Sequence, residues 1–210
     1  MKIAVIGANG KAGKLIVSEA LSRGHEVIAI VRDKSKIDVD IRVFEKDVLS
    51  INVDDLHEVD VVINAMGAGM QDPVIYKLAT KHMIDVLIEL PSVRYIVVGG
   101  AGSLFTDATM ETQLYTTEHF PKSIYPVGMN MAKALDLLRD SKIMWTFFSP
   151  AIQFDATGKR SGKYTLGTEW IIVNQSGESY ITYPDYAIAL LDEIEKPQFI
   201  CKRFTAVSDR

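Results

Sequence analysis

The residues best suited to chemistry stand at the start of the chain, in Gly7-Ala8-Asn9-Gly10-Lys11-Ala12-Gly13. Glycines at this spacing, directly after a strand-like run and at the opening of an amphipathic helix, describe a loop that cradles a diphosphate. Gly7 permits the tight turn, Gly10 lets a phosphate approach the backbone, and Gly13 lets helix and strand pack closely. The helix start adds free N–H groups and a positive dipole end, so Asn9, Lys11 and Ala12 join the glycines as candidate contacts. A Walker-type phosphate loop is excluded, because it needs glycine at position 8 and Ser or Thr at position 15, where the chain has Ala8 and Leu15.

About 20 residues past such a loop, a dinucleotide-binding fold places an acid on the adenosine ribose or an arginine near a 2′-phosphate. Here the second strand ends Val31-Arg32-Asp33-Lys34-Ser35-Lys36. Arg32 holds the deciding place, with Lys36 a second cation one turn on. A guanidinium matches a phosphate bidentately, which favours NADPH. Asp33 keeps NADH open if its carboxylate takes the ribose hydroxyls instead. Asp47, in Lys46-Asp47-Val48, either accepts from the adenine amino group or caps the short helix that follows; Val48 is grouped with it as a cofactor contact. Ala65-Met66-Gly67-Ala68 ends the fourth strand with small residues, which either admit the backbone to the cofactor's ribose or form an ordinary turn.

The elements that must position these residues alternate. Runs rich in Val and Ile, at Ile3–Gly7, Glu26–Arg32, Arg42–Glu45, Asp60–Ala65, Arg94–Gly99 and Met144–Ser149, are apolar on both faces and lie mostly between amphipathic helices. That is the pattern of a parallel sheet covered on both sides. The first helix carries Leu15, Ile16, Ala20 and Leu21 on one face, opposite Lys14, Ser18 and Arg23, and stops at Gly24. A second, near Pro73–Leu90, sets Ile75, Leu78, Met83 and Val86 in a stripe; a third, Met129–Asp140, turns Leu135 and Leu138 inward. Right-handed crossovers make this an α/β doubly wound parallel sheet, the Rossmann arrangement. After Pro150 the texture changes: a polar turn at Gly158–Gly162, β-like Lys163–Leu166 and Trp170–Val173, a turn at Gln175–Glu178, a helix to Lys196 opened by a Thr182/Asp185 capping box, and a last strand, Phe199–Val207. The expectation is one domain over 1–210, with 151–183 a small cap over the ligand edge.

GANGKAG, the VRDKSK strand end, Gly99-Gly100-Ala101-Gly102-Ser103, Ser149-Pro150-Ala151 and Asp185-Tyr186-Ala187 together resemble the atypical short-chain dehydrogenases. Within them the chain is most similar to the NADH-flavin reductase-like subgroup, akin to biliverdin-IXβ/flavin reductase. The resemblance spans nearly the whole chain and implies a Rossmann-type fold, NAD(P)H binding and Ser149, Pro150 and Ala151 near the cofactor. Pro150 then packs against the nicotinamide, or is merely a strand terminator. Members of the wider family reduce carbonyls with a serine and a Tyr-x-x-x-Lys pair on the helix after the fifth strand. Ser103 falls at the serine position and Lys133 at the lysine, but the tyrosine position holds Met129. The nearest tyrosine, Tyr125, is eight residues before Lys133 and is followed by Pro126, which sets it before the helix. It is kept with Ser103 and Lys133 as a candidate catalytic group.

That departure has chemical content. Reducing a ketone makes an alkoxide that needs a proton as it forms, and methionine has none. A flavin delocalises the incoming electron pair, so FMN or FAD, arriving as substrate, suits the site better. A cofactor-binding sensor without turnover, or an epimerase-like enzyme, are the alternatives. Ser103–Tyr125 is a long connection of the kind that forms binding surfaces, and holds Tyr115, His119 and Phe120. His119 is either a proton donor or a solvated loop residue, and Tyr164 and Trp170 either line the far wall or pack in the core.

Composition narrows the rest. A net charge of -4 over 210 residues gives no electrostatic reason for a nucleic-acid partner. The single cysteine, Cys201, cannot form an internal disulfide. No apolar run reaches the roughly 18–20 residues that span a bilayer, and Lys2–Gly7 does not resemble a signal peptide. His25, His57 and His82 lack metal-ligand spacing, so no metal is expected. The expectation is a cytoplasmic monomer or weak homodimer acting on a small molecule.

Overall fold

Strands apolar at every position need cover on both faces, and the sheet is built so that they get it. The computed structural model describes residues 1–67 and 71–210. In chain order the elements are β1 (Lys2–Ile6), α1 (Lys11–Ser22), β2 (Glu26–Val31), β3 (Arg42–Glu45), α2 (Val53–Leu56), β4 (Val61–Asn64), α3 (Val74–Leu87), β5 (Arg94–Val98), α4 (Tyr125–Arg139), β6 (Met144–Ser149), β7 (Gln153–Asp155), β8 (Thr165–Gly167), β9 (Tyr180–Thr182), α5 (Tyr183–Glu195) and β10 (Lys202–Val207). The main sheet runs β3-β2-β1-β4-β5-β6-β10-β8. All its neighbours pair in parallel except β8, which runs antiparallel to β10 at the edge. The expected doubly wound sheet is present, with the order reversing between β1 and β4.

Alternate side chains feed two cores. Val5, Ile63, Ile96 and Phe148 face α1 and α5; Ile6, Val62, Val97 and Phe147 face α3 and α4. Phe148 is stacked between Tyr186 and Phe204, at 3.8 and 4.0 Å between centroids, and the Tyr186 hydroxyl donates to the Phe148 carbonyl at 2.8 Å. The Asp185-Tyr186-Ala187 motif therefore builds the core. Among the described residues no helix is long and apolar enough to cross a membrane.

The helix-stop reading of Gly24 holds: φ is +77°, Gly24 N–H donates to Leu21 O at 3.0 Å and His25 N–H to Ala20 O at 3.1 Å. Other expectations shift. Leu78 is 46% exposed, because it lies five positions before Met83, roughly 140° around the helix; Thr80 is buried instead. Arg23, on the polar side of α1, is half-buried and reaches Asp192 of α5 at 2.6 Å. Trp170–Val173 forms only a bridge from Trp170 to Phe105, and the β-like run begins at Thr165. Within 151–183, β7 and β9 pair in parallel as a separate ribbon, while β8 joins the edge of the main sheet. The capping box at α5 is half made. Thr182 Oγ1 accepts from Asp185 N–H at 3.1 Å, but the buried Asp185 carboxylate turns outward from the helix start to take Ser161 N–H, Ser161 Oγ and Gly162 N–H at 2.8–2.9 Å. It anchors the polar turn rather than the helix.

A buried acid fastens the same segment to α1. Glu19 accepts from Arg23 Nε at 2.9 Å and from Arg160, while Arg23 also holds Glu195 at 3.0 Å. Burial alone would raise the Glu19 carboxyl, but hydrogen bonds from Arg160 and Arg23 outweigh it and hold the group below its ordinary 4.5. A carboxyl depressed in the folded state stabilises above its unfolded value and loses that contribution as pH falls through the folded one. Glu19→Gln is therefore expected to cost about 1–2 kcal/mol at neutral pH and to flatten the fall in melting temperature below about pH 4.5, read by thermal scans across pH.

Candidate nucleotide and hydride-transfer site

Every main-sheet strand but the edge strand β8 ends at one edge, so the loops that follow them share a rim, with the switch point between β1 and β4. The glycine loop sits there. Gly7 N–H donates to Ile30 O and Gly10 N–H to Gly7 O, both at 2.9 Å, which fixes the turn against β2. Gly7 has φ +74°, and a Cβ on it would lie 3.0 Å from Ala65 O and from Met66 Cα. A Cβ on Gly13 would lie 2.2 Å from Gly7 O, so helix and strand touch through bare backbone. Gly10 packs within the loop too, its would-be Cβ 3.1 Å from Gly7 O.

Gly10 is the N-cap of α1, no side chain caps the helix among the described residues, and its first turn holds no acid. The first intrahelical bond there runs from Lys14 N–H to Gly10 O at 2.9 Å, which leaves the N–H groups of Lys11, Ala12 and Gly13 without helical acceptors. Lys11 is exposed, with Asn9 and Ala12 half-buried beside it. This is a cradle a diphosphate fits: donors converge, the dipole end is positive, and added carbon would close it.

At the end of β2, Arg32 is exposed and makes no hydrogen bond or ion pair among the described residues. Asp33 is occupied. Its Oδ1 accepts from Ser35 N–H at 3.1 Å and Ser35 Oγ at 2.6 Å, and its Oδ2 pairs with Lys36 at 3.1 Å. The Ser35 hydroxyl, then Lys36, hold its carboxyl below the usual carboxylate range. Asp47 takes the capping alternative, accepting from Leu49 N–H at 3.0 Å, with Val48 buried behind it. At the end of β4, Ala65 is buried under Gly7, Met66 is half-buried against the core and Gly67 is exposed; Ala68 lies outside the described residues.

The other end of the rim differs more from expectation. Ser103, read as a ligand-contacting hydroxyl, is fully buried, and its Oγ accepts from Arg203 Nη1 at 3.2 Å. It offers a ligand no surface in this conformation. Ser149, Pro150 and Ala151 are buried as well, but Ser149 Oγ has no hydrogen-bond partner among the described residues. Ser149 is as fully buried as Ser103, so a ligand reaches its hydroxyl only if the residues over it shift.

Tyr125 is the first residue of α4, not a residue before it, because Pro126 is tolerated in the first turn of a helix. It is 43% exposed and leans on Tyr115 at 5.8 Å between centroids. Burial, then the neighbouring Tyr125 and Asp136, push the Tyr115 hydroxyl up. Lys133 is exposed further along α4, and Met129 between them is half-buried. His119 is exposed, whereas Trp170 is half-buried, bridged to Phe105. Tyr164 is no wall of the site: its hydroxyl donates to Asp192, and burial followed by that carboxylate raises it.

Sequence reasoning passed over the buried cations. Arg203 on β10 grips Ser103 and Glu169, and Arg94 on β5 donates to Glu193 O at 2.9 Å and Thr146 Oγ1 at 2.7 Å. The signal was present, since an arginine inside an apolar strand run must either face water or meet acceptors.

With this geometry in view, the comparisons are coherent. A family model described as NAD(P)H-binding matches residues 7–196. The uncharacterized protein YwnB of Bacillus subtilis is 47% identical over 211 residues, covering 100% of this chain and 99% of its own length. A crystal structure from Streptococcus pneumoniae, called a "putative NADH-flavin reductase", is 41% identical with a TM-score of 0.93, covering 100% of both chains. Another, from Bacteroides thetaiotaomicron and called a "putative epimerase", is 35% identical with a TM-score of 0.88, covering 100% of this chain and 98% of that one. The glycine loop, the switch-point rim and these matches agree: the chain belongs to the NAD(P)H-binding family.

Proposed function

We propose that this chain is an NADPH-dependent reductase that passes hydride to a flavin, FMN or FAD arriving as substrate, or to a similarly flat conjugated acceptor. The observation that carries the reading is on α4. One turn before Lys133 stands Met129, which has no proton to give. Tyr125 opens the helix eight residues before Lys133, about 12 Å along the axis, two turns away rather than the one turn of the usual tyrosine–lysine pair. A ketone's oxygen would lack its acid here, while a conjugated ring spreads the incoming pair and draws its proton later from water. The same gap weakens an epimerase reading, and the name of the Streptococcus pneumoniae relative agrees with reduction.

The bound dinucleotide would supply the hydride; the chain's work is to hold and orient. The free amides of Lys11, Ala12 and Gly13 receive the diphosphate. Arg32, with Lys36 nearby, receives a 2′-phosphate, and the engagement of Asp33 with Ser35 and Lys36 leaves less for ribose hydroxyls, which favours NADPH over NADH. When bound, the nicotinamide end would be held by Ser149 and Pro150, after β6, and its ribose by Lys133 of α4.

Steady-state oxidation of NADPH with FMN, a quinone and a simple ketone tests this. Turnover with FMN or the quinone is expected, with the ketone slower by about 100-fold or more. Comparable ketone reduction overturns the reading of Met129; tight NADPH binding without any turnover moves the protein to the regulatory class.

A further inference from the structure

We infer that Arg203 is a positioning residue that sets the height of the loop from Gly100 to Ser103, and with it the place where the nicotinamide and its acceptor meet. The inference rests on the reductase reading. Arg203 lies on β10 with no exposed side-chain surface. Its Nη1 donates to Ser103 O at 2.7 Å and Ser103 Oγ at 3.2 Å. Its Nη2 donates to Glu169 O at 2.9 Å and to the Glu169 carboxylate. One guanidinium thus joins the loop after β5 to the cap segment around Glu169, from the strand that lies beside β6.

The fork is more than a fastener for the fold. The loop and the cap are already tied by backbone, Phe105 N–H to Glu169 O at 3.0 Å and Ile171 N–H to Phe105 O at 2.9 Å. An apolar side chain would fill the same volume without the cost of burying a charge. What the guanidinium adds is a fixed spacing between two main-chain carbonyls, one of them on the loop at the sheet's ligand edge. From above, that loop has no slack. A Cβ on Gly102 would meet Gly128 Cα and the Phe120 ring at 3.2 Å, and one on Gly100 would meet Met131 Sδ at 2.6 Å. The loop is held between α4 and Arg203, so its height follows the reach of the fork.

The test uses the full chain with NADPH and the variants Arg203→Lys and Glu169→Gln. A lysine cannot span both carbonyls, and glutamine keeps a neutral acceptor. Four readouts are taken: melting temperature, NADPH affinity by calorimetry, the fluorescence emission of bound NADPH, and kcat and KM with FMN. The expected Arg203→Lys protein is folded, with NADPH affinity within about threefold of wild type, because the diphosphate cradle is remote. Its bound-NADPH emission shifts and its kcat falls by about tenfold or more without a matching rise in KM. Glu169→Gln moves both readouts in the same direction by less. Folded variants with wild-type emission and kcat overturn the inference. If Arg203→Lys does not fold, Glu169→Gln decides by the same two readouts. If wild type reduces no acceptor, the reductase reading fails, and the emission alone still decides the role of Arg203.

Discussion

Arg32→Ala is expected to weaken NADPH binding by about 10- to 100-fold while leaving NADH within about twofold. The two cofactors differ by one phosphate on the adenosine ribose, so a residue whose partner is that phosphate must act on one and not the other. Arg32 meets the conditions: exposed, at the carboxyl end of β2, and unengaged among the described residues. Lys36 is already 3.1 Å from Asp33 and would supply less. Calorimetry with both cofactors, at fixed ionic strength, reads the split directly. Equal losses for both would remove the phosphate role from Arg32 and return Asp33 to consideration.

Gly13→Ala is the second large expectation: a loss of about 1–3 kcal/mol in stability and about tenfold or more in affinity for either cofactor. The added methyl would sit 2.2 Å from Gly7 O, and that carbonyl cannot retreat, because Gly7 N–H is bonded to Ile30 O and its own oxygen accepts from Gly10 N–H. The helix must move instead, carrying the amides of Lys11, Ala12 and Gly13 off the diphosphate. Gly24→Ala is the control. It has φ +77° but nothing within 4 Å of the new carbon, so it should cost about 1 kcal/mol by backbone strain and leave binding alone. Thermal scans and calorimetry on both variants separate the two. Undiminished binding by folded Gly13→Ala would mean the cradle does not hold the diphosphate.

Much of this was legible locally. The periods of the six parallel strands up to β6, the glycine loop and the Gly24 stop are each set by neighbours within a few residues and appear where their patterns lie, whereas the β-like run Trp170–Val173 does not form a strand. The differences have two causes. Leu78 and Tyr125 turn on local geometry, the angle around α3 and the tolerance of Pro126 in the first turn of α4. Asp185 turns on distant partners, Ser161 and Gly162, which lie 24 and 23 residues before it.

By itself the chain's order of residues determined a parallel sheet wound on both sides, a bare-backbone glycine loop after its first strand, and a helix after β5 without a tyrosine one turn before its lysine. Those follow from periodicity, from the room only glycine leaves, and from side-chain chemistry, all short-range in the chain. Only the tertiary structure decided that Ser103 is sealed from solvent, that the buried Ser149 hydroxyl has no hydrogen-bond partner among the described residues, and that Arg203 ties the β5–α4 loop to the segment around Glu169. Each depends on a partner far away in sequence, Ser103 on a residue 100 positions later, and buried polar groups take whichever acceptors the fold brings to them.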